Sequence, residues 1–161
     1  QLSWLIVLAG AEISCIHQHA DALEFGPDSR RASHSFRRLL ALRIVNHVSR
    51  KFATGEVPLT AAGVSESLEI PRGLTEELLE ALAESGVLIE ADRQGGDEAA
   101  YVPARDTDLL TVKFVMDALD RRGVDRIPVA ATEELQRIEQ SLKAFGEAIE
   151  KSPANLRLKD I

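Results

Sequence analysis

Residues 15–25 read CIHQHADALEF, and His17, His19 and Asp21 are the residue types that hold a zinc ion and activate water for hydrolysis. His-x-His-x-Asp supplies five positions of the six-position run His-x-His-x-Asp-His that zinc hydrolases, tRNA-trimming nucleases among them, use as a metal site. Here the sixth position is Ala22, and the chain's other histidines are His34 and His47. If a helix continues through Asp21, His17 and His19 lie about 200° apart around its axis and cannot share one ion. These polar residues therefore read as the exit of a helix from apolar surroundings, not as a metal centre. Elsewhere there is no Gly-rich phosphate loop, the single cysteine Cys15 has no histidine partner, and the many carboxylates fall where solvated helix faces put them. No catalytic residue, cofactor or metal is assigned, and the chain is not expected to be an enzyme.

The elements that would carry such chemistry begin with QLSWLIVLAGAEIS, whose apolar run from Trp4 to Ala11 is about half of the ~20 residues that a bilayer-spanning helix needs. Two readings fit it: a buried helix of a soluble domain, or the last turns of a transmembrane helix. Gln1 is not an initiator and the chain opens in mid-pattern, as a piece of a longer protein does. The charge distribution favours the second reading. Residues 1–58 carry a net +2 and residues 59–161 a net −9, within a chain of 161 residues and net charge −7. Arg30, Arg31, Arg37 and Arg38 follow the apolar run at the distance over which bases mark the cytoplasmic side of a membrane span, where they could contact anionic lipid headgroups. One cysteine excludes an internal disulfide and favours a reducing compartment. Only 4% aromatic residues leave little for base-stacking platforms.

Trp4-Leu5-Ile6-Val7-Leu8, Gly10-Ala11-Glu12, the His-Gln-His that follows and the Arg-rich linker resemble the end of the last transmembrane helix and the cytoplasmic tail of the YihY/BrkB family. These are bacterial inner-membrane proteins long labelled ribonuclease BN. The resemblance implies a chain held in the inner membrane by its N-terminal helix, facing the cytoplasm, with a transport-related or regulatory role. The ribonuclease label would require an acid–base or metal site that the residues do not supply.

Past Gly26-Pro27, Ser33 or Ser35 can cap a helix whose apolar arc is Phe36, Leu40, Ile44, Val48 and Phe52, ended by Gly55. Thr60 caps AAGVSESL, Glu69-Ile70-Pro71 breaks it, and GLTEELLEALAESG follows with Leu74, Leu78, Ala81 and Leu82 on one face and Gly86 at its end. VLIEA and AAYVPA then read as strands of a hairpin around residues 93–98. Helix, helix, turn, helix and two-stranded wing is the order of a winged helix-turn-helix, so the fold class is mainly α with a small β-hairpin. The run Thr60, Val64, Leu68, Ile70, Pro71 also resembles the one that precedes the recognition helix in redox-responsive winged-helix repressors. The three cluster-binding cysteines those proteins carry after the wing have no counterpart here. The helix that would enter the major groove exposes Glu76, Glu77, Glu80 and Glu84 against Arg72 alone, and the wing adds Asp97 and Glu98. Repeated carboxylates reverse the phosphate attraction on which DNA affinity rests, which sets nucleic acid aside as a partner and favours a protein-interaction module.

After the wing, Asp106 or Thr107 can cap LLTVKFVMDALDRRG, whose Val112, Val115, Met116 and Leu119 read as core. A last helix near 132–151 carries Leu135, Ile138, Leu142, Phe145 and Ile149 at spacings of three and four, an association seam about two heptads long. It either packs back onto the body or pairs with another copy. The expected division is 1–23 end of a transmembrane helix, 24–34 basic juxtamembrane linker, 35–130 winged-helix domain and 131–161 C-terminal helix and tail. The expected function is a cytoplasmic regulatory or protein-interaction domain of a YihY/BrkB-like membrane protein. A winged-helix DNA-binding transcription regulator is the alternative.

Overall fold

The computed structural model describes residues 32–92, 98–123 and 130–161. Among these residues, five α-helices and a three-stranded antiparallel sheet follow one another as α1 (His34–Ala53), β1 (Leu59–Thr60), α2 (Ala61–Leu68), α3 (Arg72–Glu84), β2 (Leu88–Ala91), β3 (Ala100–Pro103), α4 (Val112–Asp120) and α5 (Glu133–Glu150). This is a winged helix, mainly helical with a small sheet.

Local chemistry sets most boundaries. The Ser33 hydroxyl accepts from the Phe36 amide at 3.2 Å and starts α1, and Thr60 does the same for α2 through the Gly63 amide at 3.2 Å. α2 stops at Glu69, which takes the left-handed conformation (φ 53°). The Ser65 hydroxyl donates to the Ile70 carbonyl at 2.7 Å, and the buried Thr75 hydroxyl donates back to the Pro71 carbonyl at 3.2 Å. These bonds fix the turn between α2 and α3, so the angle between the two helices does not depend on packing alone. Gly86 (φ 68°) ends α3 and leads directly into the wing. Two boundaries differ from the sequence expectation. Asp106 caps a 3₁₀ turn, Thr107–Leu109, and Thr111 caps α4 by accepting from the Phe114 amide at 3.2 Å.

The core lies where α1, α2, α3 and the wing meet. Ile44, Val45, Val64, Leu79, Leu82, Val87, Leu88, Leu110 and Val115 are its fully buried members. Phe36 and Phe52, expected on the apolar arc of α1, sit at its ends and are exposed, so the packed stripe runs from Leu40 to Val48. Of the expected α4 face only Val115 is buried; Val112 and Leu119 pack partly buried against the cluster, and Met116 is half-buried. β3 is central, pairing Glu90↔Tyr101 and Ile89↔Val102 with β2 and Leu59↔Tyr101 with β1. β1 has two residues, too few for any periodicity in sequence, and exists through its partner strand.

The C-terminus returns to the body. Leu158 is 2% exposed and joins the core cluster; its amide donates to the Leu110 carbonyl at 2.9 Å and its carbonyl accepts from Asn46 Nδ2 of α1 at 2.6 Å. Asp108 receives Arg157 and Lys159, each at 2.9 Å. α5 therefore lies between the body and an anchored end. It has no buried residue: Ile138, Leu142, Phe145 and Ile149 are exposed and Leu135 is half-buried. Gly146 lies beside the Lys113 side chain of α4, while the apolar stripe faces away from the core.

Candidate nucleic-acid interface

α2, its turn and α3 place one face of α3 in solvent. Leu74, Thr75, Leu78, Leu79, Ala81 and Leu82 point into the core, which leaves Arg72, Gly73, Glu76, Glu77, Glu80 and Glu84 outward, with β2 and β3 beside them. Such a surface admits a groove of duplex nucleic acid if its charge permits.

Charge is where the structure departs most from the sequence expectation. Glu76 is paired with Arg72, whose Nε donates to it at 2.8 Å. Glu77 is paired with Arg37 from the first turn of α1. Glu84 accepts from Arg122, beyond the end of α4, at 2.5 Å. Three of the four carboxylates are thus matched by guanidinium groups, two of which come from 38 and 40 residues away in the chain. Counting Glu98 of the wing, three guanidinium groups face five carboxylates, so the face is less acidic than the helix alone and still net negative. Arg72 also reaches the wing, where its Nη2 donates to Glu98 Oε1 at 3.0 Å. The Glu76 hydrogen bond first, and Glu98 second, raise the Arg72 pKa above its ordinary value, so it is a fixed positive charge.

Of the arginines expected at lipid headgroups, Arg37 is held by Glu77 and Arg38 by Asp120 at 3.4 Å, while Arg30 and Arg31 lie outside the described residues. His17, His19 and Asp21 lie outside them too; among the described residues no group of His, Cys, Asp or Glu could hold a metal ion. An open cleft lined by Arg105, Asp108, Lys113, Asp117, Arg122 and Glu150 among others brings acids and bases together.

No family model matches the chain, and no curated protein does. Solved structures do. CymR (YrzC), the global cysteine regulator of B. subtilis, is similar at 19% identity over 80% of this chain and 94% of that one, with a TM-score of 0.53. A Listeria innocua protein assigned as a transcriptional regulator is similar at 16% identity over 77% and 81%, with a TM-score of 0.51. This likeness shows the fold, shared with two proteins described as regulators.

Two sequence expectations are corrected. Setting nucleic acid aside as a partner does not stand, because the fold is shared with transcriptional regulators and the α3 carboxylates are largely paired. Attachment to the bacterial inner membrane does not stand either. Among the described residues no helix is long and apolar enough to cross a membrane, and the YihY/BrkB resemblance finds no support in any family match or in the structural neighbours. The run from Trp4 to Ala11 that suggested both lies outside the described residues.

Proposed function

We propose that the chain is a winged-helix transcription regulator that binds duplex DNA, with α3 in the major groove, the β2–β3 wing beside it, and two copies joined along α5. The observation that carries the DNA reading is the outward face of α3. It is held at a fixed angle by the Ser65 and Thr75 hydrogen bonds and led by Arg72, and Arg37 and Arg122 offset the charge of Glu77 and Glu84. The regulator roles of the two structural neighbours support it.

The dimer rests on α5. An 18-residue helix with no buried side chain is marginal in water alone, and its apolar residues form one stripe. That stripe reads nearly the same in both directions from Leu142: Leu135 and Ile138 on one side, Phe145 and Ile149 on the other. A two-fold axis through Leu142 sets Leu142 on Leu142, Ile138 on Phe145 and Leu135 on Ile149. The same antiparallel pairing brings Glu133 to Lys151. Self-complementarity of this kind is what an isologous interface requires, so the occupant is a second copy.

Selection of bound duplexes from a random library tests the reading. Enrichment of two inverted half-sites about one helical turn apart is expected. Absence of any enriched sequence, or enrichment that survives Arg72→Ala together with Glu80→Ala unchanged, would refute it.

A further inference from the structure

Glu98 belongs to the wing, yet its carboxylate lies over the helix-turn-helix. Oε1 accepts from Arg72 Nη2 at 3.0 Å and from the Ala62 amide, in the first turn of α2, at 3.3 Å. A guanidinium and a first-turn amide are the kinds of donor that regulators turn toward DNA phosphates. We propose that Glu98 is an intramolecular competitor for the DNA backbone, occupying Arg72 and the Ala62 amide until a phosphate oxygen displaces it and the wing parts from α3. This rests on the DNA-binding reading above and adds a gate to it. Arg72 cannot serve both partners fully, because Glu76 already engages its Nε. The contact is solvent-exposed, so the gate is shallow, which suits one that must open on each encounter.

The whole chain and a labelled 30-base-pair duplex of random sequence at low salt provide the test, read by fluorescence anisotropy. Glu98→Gln removes the charge while its amide oxygen can still accept from Ala62. Glu80→Gln makes the same change of charge on the outward face of α3, where Glu80 forms no ion pair among the described residues. Glu98→Gln is expected to tighten binding about two- to fivefold beyond Glu80→Gln. In an Arg72→Gln background that excess should vanish. Equal gains from the two variants, or an excess that persists without Arg72, would overturn the gate while leaving DNA binding intact. A wild-type chain that binds no duplex at low salt would overturn the DNA reading and the gate with it. The clasp has its own readout without DNA: the Ala62 amide resonance should move in Glu98→Ala and stay in place in Glu80→Ala. A stationary Ala62 resonance in Glu98→Ala also defeats the proposal.

Discussion

Replacing Phe145 by alanine should take the α5 pair apart. Phe145 is 67% exposed and Leu142 64%, with Ile138 and Ile149 half-exposed or more, so a partner helix has most of four side chains per copy to cover. Covering that surface contributes roughly 1–2 kcal/mol per side chain, or about 8–16 kcal/mol over both copies. The loss of translational and rotational freedom opposes it by about 4–15 kcal/mol, so the difference runs from no association to about 12 kcal/mol, and a dimer of micromolar order, about 8 kcal/mol, requires a cost near the lower end of that range. Phe145→Ala acts twice because the axis repeats it, and losing roughly 1.5 kcal/mol per copy weakens the dimer about a hundredfold. Gln140→Ala, on the face of α5 opposite the stripe, serves as the control. Sedimentation equilibrium over a range of concentrations measures both. A second signal comes from circular dichroism, since a lone helix of this length is marginal and helical content should fall on dilution. A wild-type chain that stays monomeric at about 100 micromolar, or a Phe145→Ala constant within twofold of wild type, would refute the reasoning.

Three further outcomes are expected. Leu158→Ala empties a site 2% exposed against α1 and should cost about 2–4 kcal/mol, seen as a lower urea midpoint; a midpoint within error of wild type would mean that the C-terminal anchor carries no stability. Glu69→Gly should stabilise by about 0.5–1 kcal/mol, because Glu69 holds a left-handed conformation that glycine adopts without strain, and a loss of stability would contradict this. His47 has its pKa lowered, first by burial and then by Lys51, with Glu56 opposing, and its Nε2 is buried without a hydrogen-bond partner among the described residues. The unfolded chain therefore binds this proton more readily, so stability is complete above about pH 6.5 and declines as pH falls through the lowered folded-state value. His47→Asn should flatten that part of a urea-midpoint profile, well above the range in which Glu56 and Asp108, both lowered by their lysine partners, titrate. An unchanged slope there would remove His47 from the explanation.

The features written locally were legible in the sequence. Ser33 and Thr60 cap the helices expected of them, Glu69-Ile70-Pro71 breaks α2 from α3, and Leu74, Leu78 and Leu82 line the buried face. A cap or a stripe is a matter of neighbours a few residues apart, and spacing records it. What depended on distant partners was not legible. Glu77 and Glu84 of α3 read as free charges in the sequence because Arg37 and Arg122 reach them only after folding. β1 is defined by Tyr101 and Ala100, and Leu158 is an isolated leucine in a polar tail whose burial nothing nearby announces. The apolar opening and the Arg-rich stretch drew the reading toward a membrane, since a hydrophobic run does not say what covers it.

The return of the chain at Leu158 gives α5 a mechanical character. A helix joined to its body at one end swings like a tail; this one is followed at once by a clamp, with the Val112 and Lys113 amides tied to Leu156 and Asn155, and Leu158 seated beside Asn46. Torque applied to the arm is therefore delivered at α1 rather than dissipated in a joint. α1 in turn shares its buried side with α3 and is bound to it by Arg37 and Glu77. Two copies gripping each other along α5 would thus set the distance and tilt between their α3 helices through a stiff linkage, and a change of grip at Leu142 would be felt as a change of pitch at Arg72.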